Sequence, residues 1–269
     1  MNFWNNFKNK RNLIAAHRGC RALRAENTMS AFEASLNNAD FIELDVGFTK
    51  DGVAIVIHDD TLDRTSNVQK FEEFKKPYNV INYTYKQIKK LDFSTWFITQ
   101  DPFNTIKNNK SLQNDLELLG IQRISTLKEI LIFLKKHNFP VNIEIKDMSG
   151  TPFDKNACQI VVNIIKKLQI EKLVLLSSFN HSYIKKLSIL APNITRAALQ
   201  ENFHPENIIE YLNDLKVKTY NFDIDILDET IIKKLIKNNF IVNVFTSNDK
   251  KETTKLFNMG IKAVFTDYS

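Results

Sequence analysis

His17-Arg18, Glu43-x-Asp45, His58 and Glu144-x-Lys146 are the groups of this 269-residue chain whose types and spacing could do chemistry together. Residues two apart on a strand share a face, so Glu43 points with Asp45 and Glu144 with Lys146. Three carboxylates brought to one place repel, raise one another's pKa or bind a cation. An all-oxygen set suits one hard divalent ion, Mg2+ or Ca2+. Arg18 and Lys146 would clamp an anion, and a cation flanked by arginine and lysine reads as a phosphate site. His17 and His58 are the groups among these that titrate near neutrality. Flanking a phosphate, one imidazole can take a proton from the nucleophile while the other gives one to the leaving oxygen. Each piece alone has a plain alternative: a hydrogen-bonded strand-end histidine, solvated edge carboxylates, a simple Glu-Lys ion pair. Their common placement at one end of three strands argues for a site. His137, His181 and His204 read as surface residues at helix ends or in loops.

These groups need a scaffold. Nine short β-branched runs recur along the chain: 12–18, 40–46, 53–59, 140–146, 172–179, 194–199, 218–224, 240–247 and 262–267. Stretches of helical periodicity separate most of them, at 28–38, 126–138, 156–169, 181–190, 205–216, 227–239 and 250–260. Such alternation argues for a parallel sheet with crossover helices. Between the second and third runs stands only Thr49-Lys50-Asp51-Gly52, a hairpin signal with no room for a crossover. That pair is expected to be an antiparallel arm, which leaves eight parallel strands, the count of an α/β (β/α)8 TIM barrel. A turn centred between Asp51 and Gly52 would set Asp45 directly opposite His58. Residues at about 60–125 form an aromatic-rich insertion between barrel strands 2 and 3, expected as a small lobe over the barrel mouth. The whole of 1–269 is expected to be a single domain carrying that insertion.

Bulk properties narrow the class. The chain is 43% hydrophobic and 25% charged, as in ordinary globular proteins. Its net charge of +6 is spread among acidic and amide residues, without the basic blocks or aromatic-basic alternation of a nucleic-acid binder. Two cysteines, Cys20 and Cys158, make no metal-type pair and no disulfide framework. No run approaches the ~20 apolar residues of a membrane span, and MNFWNNFKNKRN lacks a secretory apolar core. A cytoplasmic location without stable membrane insertion is therefore expected. Phe3, Trp4 and Phe7 have helical spacing and are expected to pack on the domain; an interfacial membrane foot is the lesser reading.

Several short motifs coincide with this frame: His17-Arg18-Gly19, Glu26-Asn27-Thr28, Ile42-Glu43-x-Asp45-Val46, Thr49-Lys50-Asp51-Gly52, His58-Asp59 and Arg64-Thr65. Leu91-Asp92, Trp96-Phe97, Thr126-Leu127, Ile143-Glu144-x-Lys146, Ser178-Phe179, Val244-Phe245-Thr246, Gly260 and Phe265-Thr266-Asp267 follow in order. In this set the sequence resembles the glycerophosphodiester phosphodiesterases over nearly its whole length. Ala25, Ser125 and Phe245 stand where that family often has proline, proline and tryptophan. The resemblance implies a TIM barrel with an inserted lobe, a divalent metal on Glu43, Asp45 and Glu144, acid–base catalysis by His17 and His58, and phosphate contacts from Arg18 and Lys146. It implies hydrolysis of small-molecule glycerophosphodiesters to sn-glycerol 3-phosphate and an alcohol, through attack by a neighbouring glycerol hydroxyl. The alternatives are a related phospholipase D-like barrel acting on lysophospholipids or sphingolipids, and a non-catalytic phosphate-binding barrel.

Overall fold

A computed structural model describes residues 2–269. Its strands are β1 (Leu13–Ala16), β2 (Phe41–Phe48), β3 (Ala54–Val56), β4 (Val141–Ile145), β5 (Val174–Ser178), β6 (Thr195–Gln200), β7 (Thr219–Asp223), β8 (Ile241–Phe245) and β9 (Ala263–Thr266). The helices are α1 (Met29–Ser35), α2 (Tyr85–Ile88), α3 (Thr95–Gln100), α4 (Lys110–Leu119), α5 (Leu127–His137), α6 (Ala157–Leu168), α7 (His181–Leu190), α8 (Ile208–Asp214), α9 (Glu229–Lys237) and α10 (Lys250–Asn258). The parallel strands run β1-β9-β8-β7-β6-β5-β4-β2, and a β1–β2 pairing closes the ring. Eight parallel strands thus form a (β/α)8 barrel. β3 stays outside the ring and pairs antiparallel with the end of β2.

Each strand sorts its side chains by alternation. On β2, Ile42, Leu44 and Val46 join the layer packed under the helices, while Glu43 and Asp45 take the opposite face, toward the barrel axis. All eight β2 residues are buried, because both faces are covered. Helix starts are fixed by side-chain caps. Thr28 caps α1, Thr126 and Glu129 form a reciprocal capping box on α5, and Asp228 and Asp249 cap α9 and α10. Each cap contributes about 1 kcal/mol.

The hairpin register differs from expectation by one residue. Val46 pairs Val56 and Phe48 pairs Ala54, so Asp45 stands opposite Ile57 rather than His58. The cause is a three-residue turn: Thr49 and Val53 close it, and Gly52 takes φ +77°. A left-handed residue ending a three-residue loop is a favoured hairpin solution that a two-residue Asp-Gly turn does not describe. His58 therefore reaches the mouth from the first position past Ile57, not as a ladder partner.

The stretch between β3 and α5 holds α2, α3 and α4 and buries its own apolar residues, among them Leu62, Phe74, Ile88 and Leu91 in one cluster and Phe97, Leu112 and Leu116 in another. At the opposite end of the barrel, Phe3, Trp4 and Phe7 lie in a short 3-10 turn and pack against Phe41 and Phe265. The Trp4 indole donates to Thr219 Oγ1 at 2.9 Å. All three aromatics are buried in the domain, so they plug the barrel floor and present no membrane foot. No helix among the described residues is long and apolar enough to cross a membrane.

Candidate active site

The site begins where β1 ends. Arg18 adopts φ +56° and Gly19 φ +81°, which turns the chain sharply away from the sheet. A Cβ on Gly19 would lie 2.8 Å from the Ala31 Cβ, so only glycine fits this approach to α1. The turn aims the Arg18 backbone N–H at Glu43 Oε2, 2.9 Å away. The Arg18 guanidinium donates to Glu26 at 3.0 Å and lies 3.5 Å from Asp45. Asn27, also left-handed at φ +56°, donates its side-chain amide to Asp45 at 2.9 Å.

Parallel register sets Asp45 of β2 beside Glu144 of β4, with Glu43 beside Asn142 one layer below. Glu43, Asp45 and Glu144 each offer an oxygen within 4.8 Å of the others, and all three are buried. Burial, followed by repulsion from Asp45 and Glu144, pushes Glu43 well above the ordinary carboxylate range. Burial and the Asp45 charge likewise raise Glu144, although Lys146 opposes them at 2.8 Å. Burial acts the same way on Asp45, but Arg18, His58 and Lys146 together outweigh it and hold this group low. One anion thus sits between two carboxyl groups that resist ionising. That is a donor set short of positive charge, and three oxygens of this type fit a hard divalent cation.

Both histidines are held at Nδ1. His17 Nδ1 lies 2.8 Å from Asp267, whose other oxygen accepts from the Asn248 amide at 2.8 Å. His58 Nδ1 lies 2.7 Å from Asp59, which the Arg64 guanidinium grips. A carboxylate partner fixes the proton on Nδ1 and leaves Nε2 with its lone pair free. Burial draws His17 below the ordinary imidazole value, with the Asp267 hydrogen bond opposing the shift. His17, Arg18, Glu43, His58, Glu144 and Lys146 all line one cavity of about 510 Å³ at the carboxyl ends of the strands, and Asp45 lies beneath it.

Comparison with known proteins agrees with this geometry. A sequence profile described as the glycerophosphoryl diester phosphodiesterase family matches residues 17–269. The chain belongs to that family. The match covers every residue of the site and makes the protein a phosphoric diester hydrolase. Among curated relatives, a glycerophosphodiester phosphodiesterase of Bacillus altitudinis is 32% identical over 95% of this chain and 94% of its own length. One of Caldanaerobacter subterraneus is 30% identical over 95% and 93%. A phosphodiesterase of Oleispira antarctica, solved with its product sn-glycerol-3-phosphate, superposes with a TM-score of 0.82 at 23% identity, covering 100% of this chain and 96% of that one. At that identity the structural likeness speaks for the fold.

In this phosphodiesterase the side chains that hold the site together carried no role in the sequence reading. Glu26 is the hub. Its carboxylate takes two bonds from Arg64, at 2.7 and 3.0 Å, and further contacts from Arg18 and Arg21. The chain Arg18–Glu26–Arg64–Asp59–His58 links the two sides of the mouth. Asp59 had a local signal, a carboxylate next to a histidine. Asp267 stood within the Phe265-Thr266-Asp267 motif, but nothing local tied it to His17, which barrel closure through the β1–β9 pair brings to it. Of the strand-end hydroxyls, Thr246 lines the cavity. Ser178 is buried and donates to the Ile145 carbonyl, and Ser247 donates to Glu252. His181 and His204 bridge a tyrosine hydroxyl and a main-chain carbonyl each, pinning loops rather than standing free on the surface.

Proposed function

We propose that the protein is a cation-dependent enzyme that hydrolyses glycerophosphodiesters to sn-glycerol 3-phosphate and an alcohol. The observation that carries this reading is the convergence of three carboxylates, two oriented imidazoles and two cationic side chains on one cavity. Glu43, Asp45 and Glu144 would hold the divalent ion, Mg2+ or Ca2+, which when bound supplies charge stabilisation at a phosphoryl oxygen. Arg18 and Lys146 orient the phosphodiester. Burial favours neutral imidazole at His17, so its Nε2 is suited to take the proton from the glycerol hydroxyl next to the phosphorus. That oxygen bonds to phosphorus as the bond to the alcohol oxygen breaks, and His58 gives the departing oxygen its proton. Water then opens the cyclic phosphate with the two imidazoles exchanging roles. Neither cysteine lines the cavity and Ser178 is turned away from it, so a substrate that brings its own hydroxyl matches the residues present. The homologues' names and the whole-length family match support the substrate class. A cytoplasmic setting is consistent with a water-soluble diester substrate.

The test is release of sn-glycerol 3-phosphate from glycerophosphocholine, glycerophosphoethanolamine and glycerophosphoglycerol, with lysophosphatidylcholine in parallel. Activity with Mg2+ or Ca2+ that EDTA abolishes is expected. Turnover of lysophosphatidylcholine alone, or undiminished turnover in EDTA, would reject the reading.

A further inference from the structure

The end of the barrel remote from the cavity gathers positive charge. Lys8, Lys10, Arg11, Lys172, Lys218 and Lys262 stand in the segments that lead into β1, β5, β7 and β9. Lys135 and Lys136 close α5, Lys166 and Lys167 close α6, and Lys237 closes α9 at the same end. From each last helical turn to the next strand, the acidic residues are Glu33, Asp40, Glu171 and Asp214, and Lys10 takes Asp40 at 2.6 Å. A lysine in a last helical turn follows from the helix dipole alone. The six residues named first lie outside the α-helices, so the dipole does not account for them. Their loops pack into one face: the Lys262 ammonium donates to the Arg11 carbonyl at 3.1 Å, and the Asn6 amide to the Lys172 carbonyl at 2.9 Å. Lys8, Arg11, Lys172 and Lys237 are exposed and, among the described residues, pair with no carboxylate. The aromatics at the centre of the face, Phe3, Trp4 and Phe7, are buried, so they neither insert nor stack on a partner.

We infer that this floor is a docking face for an anionic phospholipid bilayer, held by charge and released by salt. The inference goes beyond the phosphodiesterase reading and does not depend on it. The cations enter at β1, β4, β5, β7, β8 and β9, most of the way round the ring, and so form a disc. A bilayer presents a plane of negative charge that a disc meets all at once, whereas a nucleic acid presents a line of phosphates that calls for a basic stripe or groove. Lysine, a compact hydrated charge, suits a diffuse anionic surface; arginine, the bidentate phosphate reader, is represented in this set by Arg11. Docked by its floor, the barrel turns its mouth to solution.

The test sediments the full chain with vesicles of phosphatidylcholine alone and of phosphatidylcholine with one-third phosphatidylglycerol, at about 0.05 M and about 0.5 M NaCl. Wild type is expected to bind the anionic vesicles tenfold or more tightly than the neutral ones at low salt and to come off at high salt. A Lys8→Glu, Arg11→Glu, Lys172→Glu, Lys237→Glu variant is expected to lose that binding. A Lys86→Glu, Lys128→Glu, Lys250→Glu, Lys251→Glu variant makes the same change in net charge at helix starts away from the floor and is expected to keep most of it. Thermal melts check that both variants fold; should the first melt early, glutamine at the same four positions replaces it. Equal sedimentation with neutral and anionic vesicles, or equal loss in the two variants, overturns the inference. Complete displacement from anionic vesicles by a short RNA duplex at matched phosphate concentration overturns it too, by assigning the face to nucleic acid. None of these results bears on the phosphodiesterase reading.

Discussion

Replacing Glu26 by glutamine should destabilise the enzyme and loosen both halves of its site. The carboxylate is 6% exposed and answers three guanidiniums, Arg18, Arg21 and Arg64. Burial alone would raise its pKa, but the Arg64 hydrogen bonds and the charges of Arg18 and Arg21 lower it from 4.5 to about 2. At 1.36 kcal/mol per pKa unit, that depression corresponds to about 3 kcal/mol of favourable interaction in the ionised form. Removing one partner of a buried charge network costs about 3–5 kcal/mol, in the same range. The folded-state pKa lies below the unfolded one, so the stabilisation is complete above about pH 4.5 and drains away as pH falls toward 2. Urea unfolding of wild type and Glu26→Gln should therefore differ by about 3 kcal/mol at pH 7 and by about 2 kcal/mol near pH 3.5. The variant should also lose kcat, since Arg18 and the Arg64–Asp59 grip on His58 depend on this carboxylate. A difference below 1 kcal/mol at neutral pH, or one that does not shrink on acidification, would refute the argument that Glu26 is the electrostatic keystone.

Alanine at His17 or at His58 should lower kcat by about 10²-fold or more while the fold survives, read by steady-state kinetics beside circular dichroism. Asp267→Asn should act through His17. Without the carboxylate that opposes the effect of burial, the imidazole pKa drops further, so the acid limb of the kcat/KM profile moves to lower pH while kcat falls; an unmoved limb would remove the positioning role. Glu43→Gln should abolish the stabilisation that Mg2+ or Ca2+ gives the wild type in thermal melts, a readout independent of turnover. Gly19→Ala should cost about 1–3 kcal/mol, because its left-handed backbone and the 2.8 Å approach to Ala31 both resist a Cβ.

How far the sequence discloses this molecule depends on the range of the interaction that fixes each feature. Strand positions were legible because alternation and β-branching are local: the expected runs at 140–146 and 262–267 contain β4 at Val141–Ile145 and β9 at Ala263–Thr266 almost residue for residue. Glu43, Asp45 and Glu144 could be grouped for the same reason, since a two-residue spacing and a parallel barrel leave inward carboxylates no other place to go. The hairpin register could not be read, because a two-residue and a three-residue turn both satisfy Asp51-Gly52 and differ in where Gly52 enters the left-handed region. That one-residue slip changes the logic of the site. As a ladder partner of Asp45, His58 would be fixed by backbone pairing; past Ile57 it depends on side chains, and Asp59 and Arg64 supply them. The insertion therefore takes part in the site: its Arg64 couples His58 to Glu26 and through it to Arg18 on β1's turn. A site assembled this way joins two distant stretches of chain through one buried carboxylate. That is why the clustered carboxylates, imidazoles and cations could be grouped from spacing, while the bonds that Glu26 and Asp267 make to them appear only in the closed barrel.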